Sequence, residues 1–197
     1  RRVTYDGPDR KVEFGLHSLP KLPLAADRSD EGEIISDFLH YVGVRNPQLV
    51  GFNSAESDLQ VLIQRALVND IRAEAFSERP NKPWEGRDYF DSRNSEAHLD
   101  LLQRFSRGAM TPRLNDLSRL CGFPGKIDVD GAQVVDLWLD GKLREIVEYN
   151  QIDTLNTYLI WLRVVNFAGN RTLGIIWSII YHIQIHGIAD EGKSSGK

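Results

Sequence analysis

Apolar residues recur at helical spacing over Ile34, Ile35, Phe38, Leu39 and Val42, with Asp30 placed to cap that segment and Gly43 to end it. A short apolar run, Leu49-Val50-Gly51-Phe52, lies between Pro47 and Asn53 and predicts a buried strand. Directly after it, Leu59, Leu62, Ile63, Ala66 and Leu67 put one apolar face on a further helix. Upstream, Val3, Tyr5, Val12, Phe14 and Leu16 alternate loosely around Asp6-Gly7-Pro8-Asp9, which predicts a hairpin at a sheet edge. Residues 72–94 turn polar and are broken by Pro80, Pro83 and Gly86, so a loop or mobile flap is expected there.

His98-Leu99-Asp100-Leu101-Leu102 reads as a short strand or as the start of a helix. Thr111-Pro112 opens a segment with Leu114, Leu117 and Leu120, closed by Cys121-Gly122, where glycine suits a left-handed C-terminal position. A short helix is expected over residues 132–139, and Gly141 separates it from the longest helical pattern, residues 142–166. Beyond that, Ile175, Ile176, Trp177, Ile179, Ile180, Tyr181, Ile183 and Ile185 make residues 173–189 unusually apolar. That stretch is shorter than the roughly 20 residues of a membrane span and carries His182, Gln184 and His186, so a buried or partner-binding terminal helix is expected. Its β-branched richness leaves a strand open as well. The polar residues 190–197 read as a disordered tail.

Composition narrows the class. The 197 residues suit one medium domain with an appended helix, and 41% hydrophobic with 26% charged residues is the balance of an ordinary globular protein. A formal charge of -4 gives no global reason for nonspecific adhesion to nucleic acid, although local basic patches remain open. The single cysteine, Cys121, excludes an internal disulfide and a cysteine metal cluster, and no secretory segment opens the chain, so the expected location is cytoplasmic.

Candidate chemistry concentrates in two places. Within the long helical pattern, Tyr149 and Asp153 are four residues apart and share a face one turn apart. Counting along that helix, Ile152, Leu155, Leu159 and Leu162 form the main core stripe, while Ile146, Tyr149, Asp153, Asn156 and Ile160 line the neighbouring face. A carboxylate between apolar neighbours needs a partner, either a divalent ion or an arginine such as Arg144 or Arg163. The second place is the end of the strand at residues 49–52, where a polar turn leads to Asp58 in the first turn of the next helix. Ligands bind at that rim in open α/β sheets, although an Asp there is equally a favourable partner for the helix dipole.

Together these segments resemble the 3′–5′ exonucleases of the DEDD superfamily, in the tyrosine-bearing branch. The nearest likeness is to the predicted exonucleases related to the proofreading domain of family-B DNA polymerases. Leu49-Val50-Gly51-Phe52-Asn53 through Asp58 is similar to that group's second motif, with Ser57 in place of the usual aromatic residue. His98-Leu99-Asp100-Leu101, Leu114-Asn115-Asp116-Leu117, Gly122-Phe123-Pro124-Gly125-Lys126 and Asp130-Gly131-Ala132-Gln133-Val134 follow in the family's order. Tyr149 to Asp153, continued by Asn156-Thr157-Tyr158, is similar to the third motif. The first motif, Asp-x-Glu on an opening strand, has no counterpart, because Asp6, Asp9, Glu13, Asp30 and Glu31 do not stand in an apolar strand at that spacing. The expectation is a chain that lacks this strand and, with it, half of the metal ligands.

The resemblance implies an α/β fold, an RNase H-like mixed sheet flanked by helices, over residues 1–170. It also implies hydrolysis of phosphodiester bonds with two ions, Mg²⁺ or Mn²⁺. Asp58 and Asp153 are then metal ligands, and Tyr149 orients the attacking water. Asn53, Asn150 and Lys126 become substrate contacts. The implied substrate is the 3′ end of a single strand, DNA in the first instance, with no membrane involved and with residues 173–189 open to a protein partner. Arg65, Arg87, Arg93, Arg104, Arg107 and Arg113 are candidates for phosphate contacts, and Trp84, Tyr89 and Phe90 for stacking on a base. The competing expectation is a catalytically inactive nuclease-like module that binds nucleic acid or protein.

Overall fold

The computed structural model describes residues 15–19, 30–82, 85–91, 93, 95–106, 111–125 and 131–169. Six expectations lie outside them: the hairpin at the start of the chain, Lys126, Arg107, Trp84, the apolar stretch 173–189 and the tail 190–197. The described residues form seven helices and two strands in the order α1 (Glu31–Arg45), β1 (Leu49–Gly51), α2 (Asp58–Val68), α3 (Glu74–Ser77), β2 (His98–Asp100), α4 (Leu101–Phe105), α5 (Leu114–Leu120), α6 (Val134–Leu139) and α7 (Leu143–Phe167). A 3₁₀ turn at Gly131–Gln133 leads into α6. The sheet is one parallel pair, with Leu49 opposite His98, Val50 opposite Leu99 and Gly51 opposite Asp100. The architecture is helices with a small parallel sheet, compatible with an exonuclease-like α/β fold.

The chain divides into two compact units, residues 17–158 and residues 1–16 with 159–197. In the first, α1 begins as its sequence predicts: the Asp30 side chain accepts from the Glu33 N–H at 3.0 Å. It ends near Gly43, as expected. The helix runs on to Arg45 and ends at Asn46, which takes the left-handed conformation at φ 47°. Gly43 is also a contact point, since a Cβ there would lie 2.7 Å from the Phe76 backbone nitrogen of α3. Ile35, Leu39 and Val42 of α1 pack with Leu59 and Ala66 of α2 and with Phe76, Tyr89 and Ala97. Each such large aliphatic side chain contributes about 1.5–3 kcal/mol on full burial. Outside, Arg65 Nε donates to Glu31 Oε1 at 2.6 Å and Asn69 Nδ2 to Glu31 Oε2 at 3.2 Å, strapping α2 to α1.

Leu67, expected on the buried face of α2, is 75% exposed. The helix turns its face toward α1 through Leu59 and Ala66, and Leu67 lies beyond that contact. Between residues 72 and 94 the described residues are irregular, as expected of a loop, apart from the single turn of α3, and Phe76 stacks on Tyr89 with ring centroids 5.1 Å apart. The Tyr89 hydroxyl donates to the Pro47 carbonyl at 2.7 Å, so two aromatic anchors fasten a polar segment to the core. Residues 98–102 are both of the things expected, a three-residue strand that turns directly into α4. In α7, Ile152 and Leu155 are only half-buried, whereas Asn156 is buried within the first unit. In the second unit, the buried residues of α7 are Leu159, Ile160 and Leu162. No helix of the described residues is long and apolar enough to cross a membrane.

Candidate functional site

Side chains two apart on a strand point to the same side, and on β2 those are His98 and Asp100. Both are buried, at 2% and 1% exposure, while Leu99 between them is half-buried. The polar residues of this strand therefore face inward, the reverse of ordinary patterning. Asp100 accepts from the N–H groups of Asn53 at 3.0 Å, Ala55 at 2.9 Å and Leu102 at 2.9 Å, with that of Gln103 at 3.4 Å. One carboxylate thus caps α4 and holds the loop after β1 at the same time. Backbone donors take the place of its hydration, which makes so deep a burial tolerable.

Between the two anchored amides, Ser54 folds back over Gly51. A Cβ on residue 51 would lie 2.0 Å from Ser54 Oγ, so only glycine leaves room for the turn. Ser54 Oγ is 2.8 Å from His98 Nε2. Burial lowers the His98 pKa below its ordinary value, against a smaller upward pull from the Asp100 charge, so the ring is neutral at pH 7. Asn53 takes φ 64°, a left-handed conformation that Asn tolerates better than most residues. The Leu59 N–H then donates to the Ser54 carbonyl at 2.9 Å, and α2 starts at Asp58.

Burial raises the Asp58 pKa first of all. The charge of Asp100 adds to the rise, a hydrogen bond with the Ser57 side chain opposes it, and the charge of Asp153 adds again. Ser57, the residue that departs from the family's aromatic pattern, thus touches the acid itself. The Asp58 side chain stands partly in solvent, so water damps these couplings. Asp58 and Asp153 nevertheless lie within electrostatic reach of each other, although the chain separates them widely.

Asp153 and Tyr149 fall one turn apart on α7. Asp153 Oδ1 is buried with no hydrogen-bond partner among the described residues. The Tyr149 hydroxyl lies 3.7 Å from where a Cβ on Gly131 would be, beside the 3₁₀ turn. Asn156, one turn further, donates from Nδ2 to the Gly125 carbonyl at 2.9 Å and so ties α7 to the turn after α5. Asn150 and Asn53 are exposed. A hollow of about 240 Å³ is bordered by Glu56, Gln60, Phe90, Arg93, His98 and Gln103 and does not include Asp58 in its lining. Tyr89 is 2% exposed and cannot stack on a base, and Arg65 is engaged by Glu31, which corrects both of those expectations.

A divalent ion prefers hard oxygen ligands, and a buried carboxylate oxygen without a donor is an atom such an ion would satisfy. Asp58 and Asp153 fit as part of a ligand set. Among the described residues, no group of three or more His, Cys, Asp or Glu side chains is gathered for an ion. Sequence reasoning quoted Asp100 only as part of a family block and missed what it does. Its signals were an Asp immediately before a helical Leu101-Leu102 pair and a glycine, Gly51, at the strand end opposite.

The chain combines an acid-bearing rim at the end of a small parallel sheet with a Tyr-x-x-x-Asp pair on its longest helix, an arrangement compatible with an exonuclease-like α/β fold. Residues 10–176 match the model of a family described as predicted 3′-5′ exonucleases related to the exonuclease domain of PolB, and the chain belongs to that family. Comparisons with curated proteins and with solved structures give no significant match.

Proposed function

We propose that this protein is a metal-dependent 3′–5′ exonuclease that hydrolyses phosphodiester bonds at the 3′ end of a single-stranded nucleic acid. In this reading residues 1–170 form its catalytic domain, built on an RNase H-like mixed sheet, and residues 173–189 serve a partner. The observation that supports the proposal is a buried Asp153 carboxylate oxygen with no hydrogen-bond partner among the described residues, on an acid whose charge acts on Asp58. Mg²⁺ or Mn²⁺ ions bound there would activate a water and stabilise charge on the leaving oxygen. Asp58 and Asp153 would hold them. Tyr149 orients the attacking water by hydrogen bonding, because a phenol with an ordinary pKa of about 10 is a poor base at neutral pH. Asn53, Asn150 and Lys126 contact the substrate, and Phe90 and Arg93 at the hollow offer a stacking edge and a phosphate contact.

The test is degradation of 5′-labelled single-stranded DNA and RNA with Mg²⁺, with Mn²⁺ and with EDTA. Stepwise shortening from the 3′ end that needs the metal, and that Asp153→Asn abolishes, is the expected result. Equal rates for mutant and wild type would overturn the assignment. Metal-independent oligonucleotide binding without cleavage would support the inactive-module alternative.

A further inference from the structure

Three consecutive residues of the loop that leads to Asp58 are gripped by one strand. Asp100 takes the N–H groups of Asn53 and Ala55, and His98 engages the Ser54 hydroxyl between them. Two buried polar side chains cost desolvation that apolar residues of similar size would avoid, so their retention calls for a use. Ser54 is the pivot. Its side chain is fastened to His98, and its carbonyl accepts the Leu59 N–H that sets the first turn of α2. A shift of the Ser54 backbone therefore displaces the first turn of α2, where Asp58 stands. Room for the arrangement exists only because residue 51 has no side chain.

The geometry points to Ser54 and His98 as positioning residues that, with Asp100, hold the Asp58 carboxylate at the rim and so set the affinity of the acid pair for a divalent ion. The inference rests on the nuclease reading of Asp58 and Asp153. Neither Ser54 nor His98 is a ligand in it: His98 is 2% exposed with its Nε2 paired to Ser54 Oγ, and both act through the placement of Asp58. Groups that orient metal ligands in this way typically change affinity by about 10–100-fold when removed.

The test measures Mn²⁺ binding by the electron paramagnetic resonance signal of the free ion, with the melting temperature recorded in parallel. Wild type is compared with Asp58→Asn, Ser54→Ala, His98→Leu, His98→Gln and Ile35→Val, the last a buried change on α1. Asp58→Asn should lose binding. Ser54→Ala and His98→Leu should weaken it by about tenfold or more, His98→Gln should recover part of that loss, and Ile35→Val should lower the melting temperature with no change in affinity. If Ser54→Ala binds Mn²⁺ like wild type while Asp58→Asn does not, the positioning role is overturned and the acid site stands. If Asp58→Asn also binds like wild type, the nuclease reading falls and this inference with it. Should His98→Leu fail to fold, Ser54→Ala decides alone.

Discussion

Replacing Asp100 with alanine tests how the rim is held together. Its three short bonds, to the amides of Asn53, Ala55 and Leu102, all disappear, while the 3.4 Å contact with Gln103 is too long to count for much. Loss of the cap on α4 costs about 1 kcal/mol. Each loop amide loses a bond to a charged acceptor worth about 1.5 kcal/mol, so the gross loss is about 4 kcal/mol. Removal of a buried charge that repels Asp58 returns about 1 kcal/mol, leaving about 3 kcal/mol. A domain with the usual 5–15 kcal/mol survives that, so the variant still folds. Urea unfolding followed by tryptophan fluorescence should show a midpoint lower by about 1.5 M for a slope of about 2 kcal/mol/M. Asp100→Asn, which keeps one acceptor oxygen but turns an amide donor toward the loop N–H groups, should fall between. A midpoint for Asp100→Ala within about 0.3 M of wild type, for the same slope, would refute the account of Asp100 as a shared anchor.

Two further predictions concern charge. The fold raises the Asp58 pKa, so the folded state binds protons more readily than the unfolded chain there and pays for the ionised form at neutral pH. Asp58→Asn should therefore stabilise the protein at pH 7, by no more than about 0.5 kcal/mol after solvent screening, and the gain seen by calorimetry should shrink as pH falls and the wild-type acid protonates. A loss of stability at pH 7 would contradict this. Glu31 is the opposite case: its bonds to Arg65 and Asn69 lower its pKa from 4.5 to about 2. Its contribution is complete above the unfolded value near 4.5 and is lost as pH falls toward 2, so wild type and Glu31→Gln should differ in thermal stability at pH 6 and converge near pH 2. A gap that does not change with pH would show that the strap between α1 and α2 is not electrostatic.

Signals that act within a few residues were readable directly. The Asp30 cap, the periodic face of α1, the Gly141 break and the placement of Tyr149 and Asp153 on one helix depend on spacing alone, and the structure has each of them. Where a neighbour decides, the pattern misled. Leu67 looked buried and is exposed, the contact of Gly43 with α3 left no mark in the pattern, and the polar stretch 72–94 hides the Phe76–Tyr89 stack.

The amino-acid order alone determined the family, the likeness of its two acid-bearing blocks and the helical register that aligns Tyr149 with Asp153. Tertiary structure decided that the Asp153 charge acts on Asp58, that Asp153 buries an oxygen with no partner among the described residues, and that Asp100 and His98 turn inward to hold the loop. The division has a physical origin. Helical periodicity and capping are satisfied by atoms a few residues away, whereas a buried polar group is satisfied by whichever distant backbone the packing brings to it.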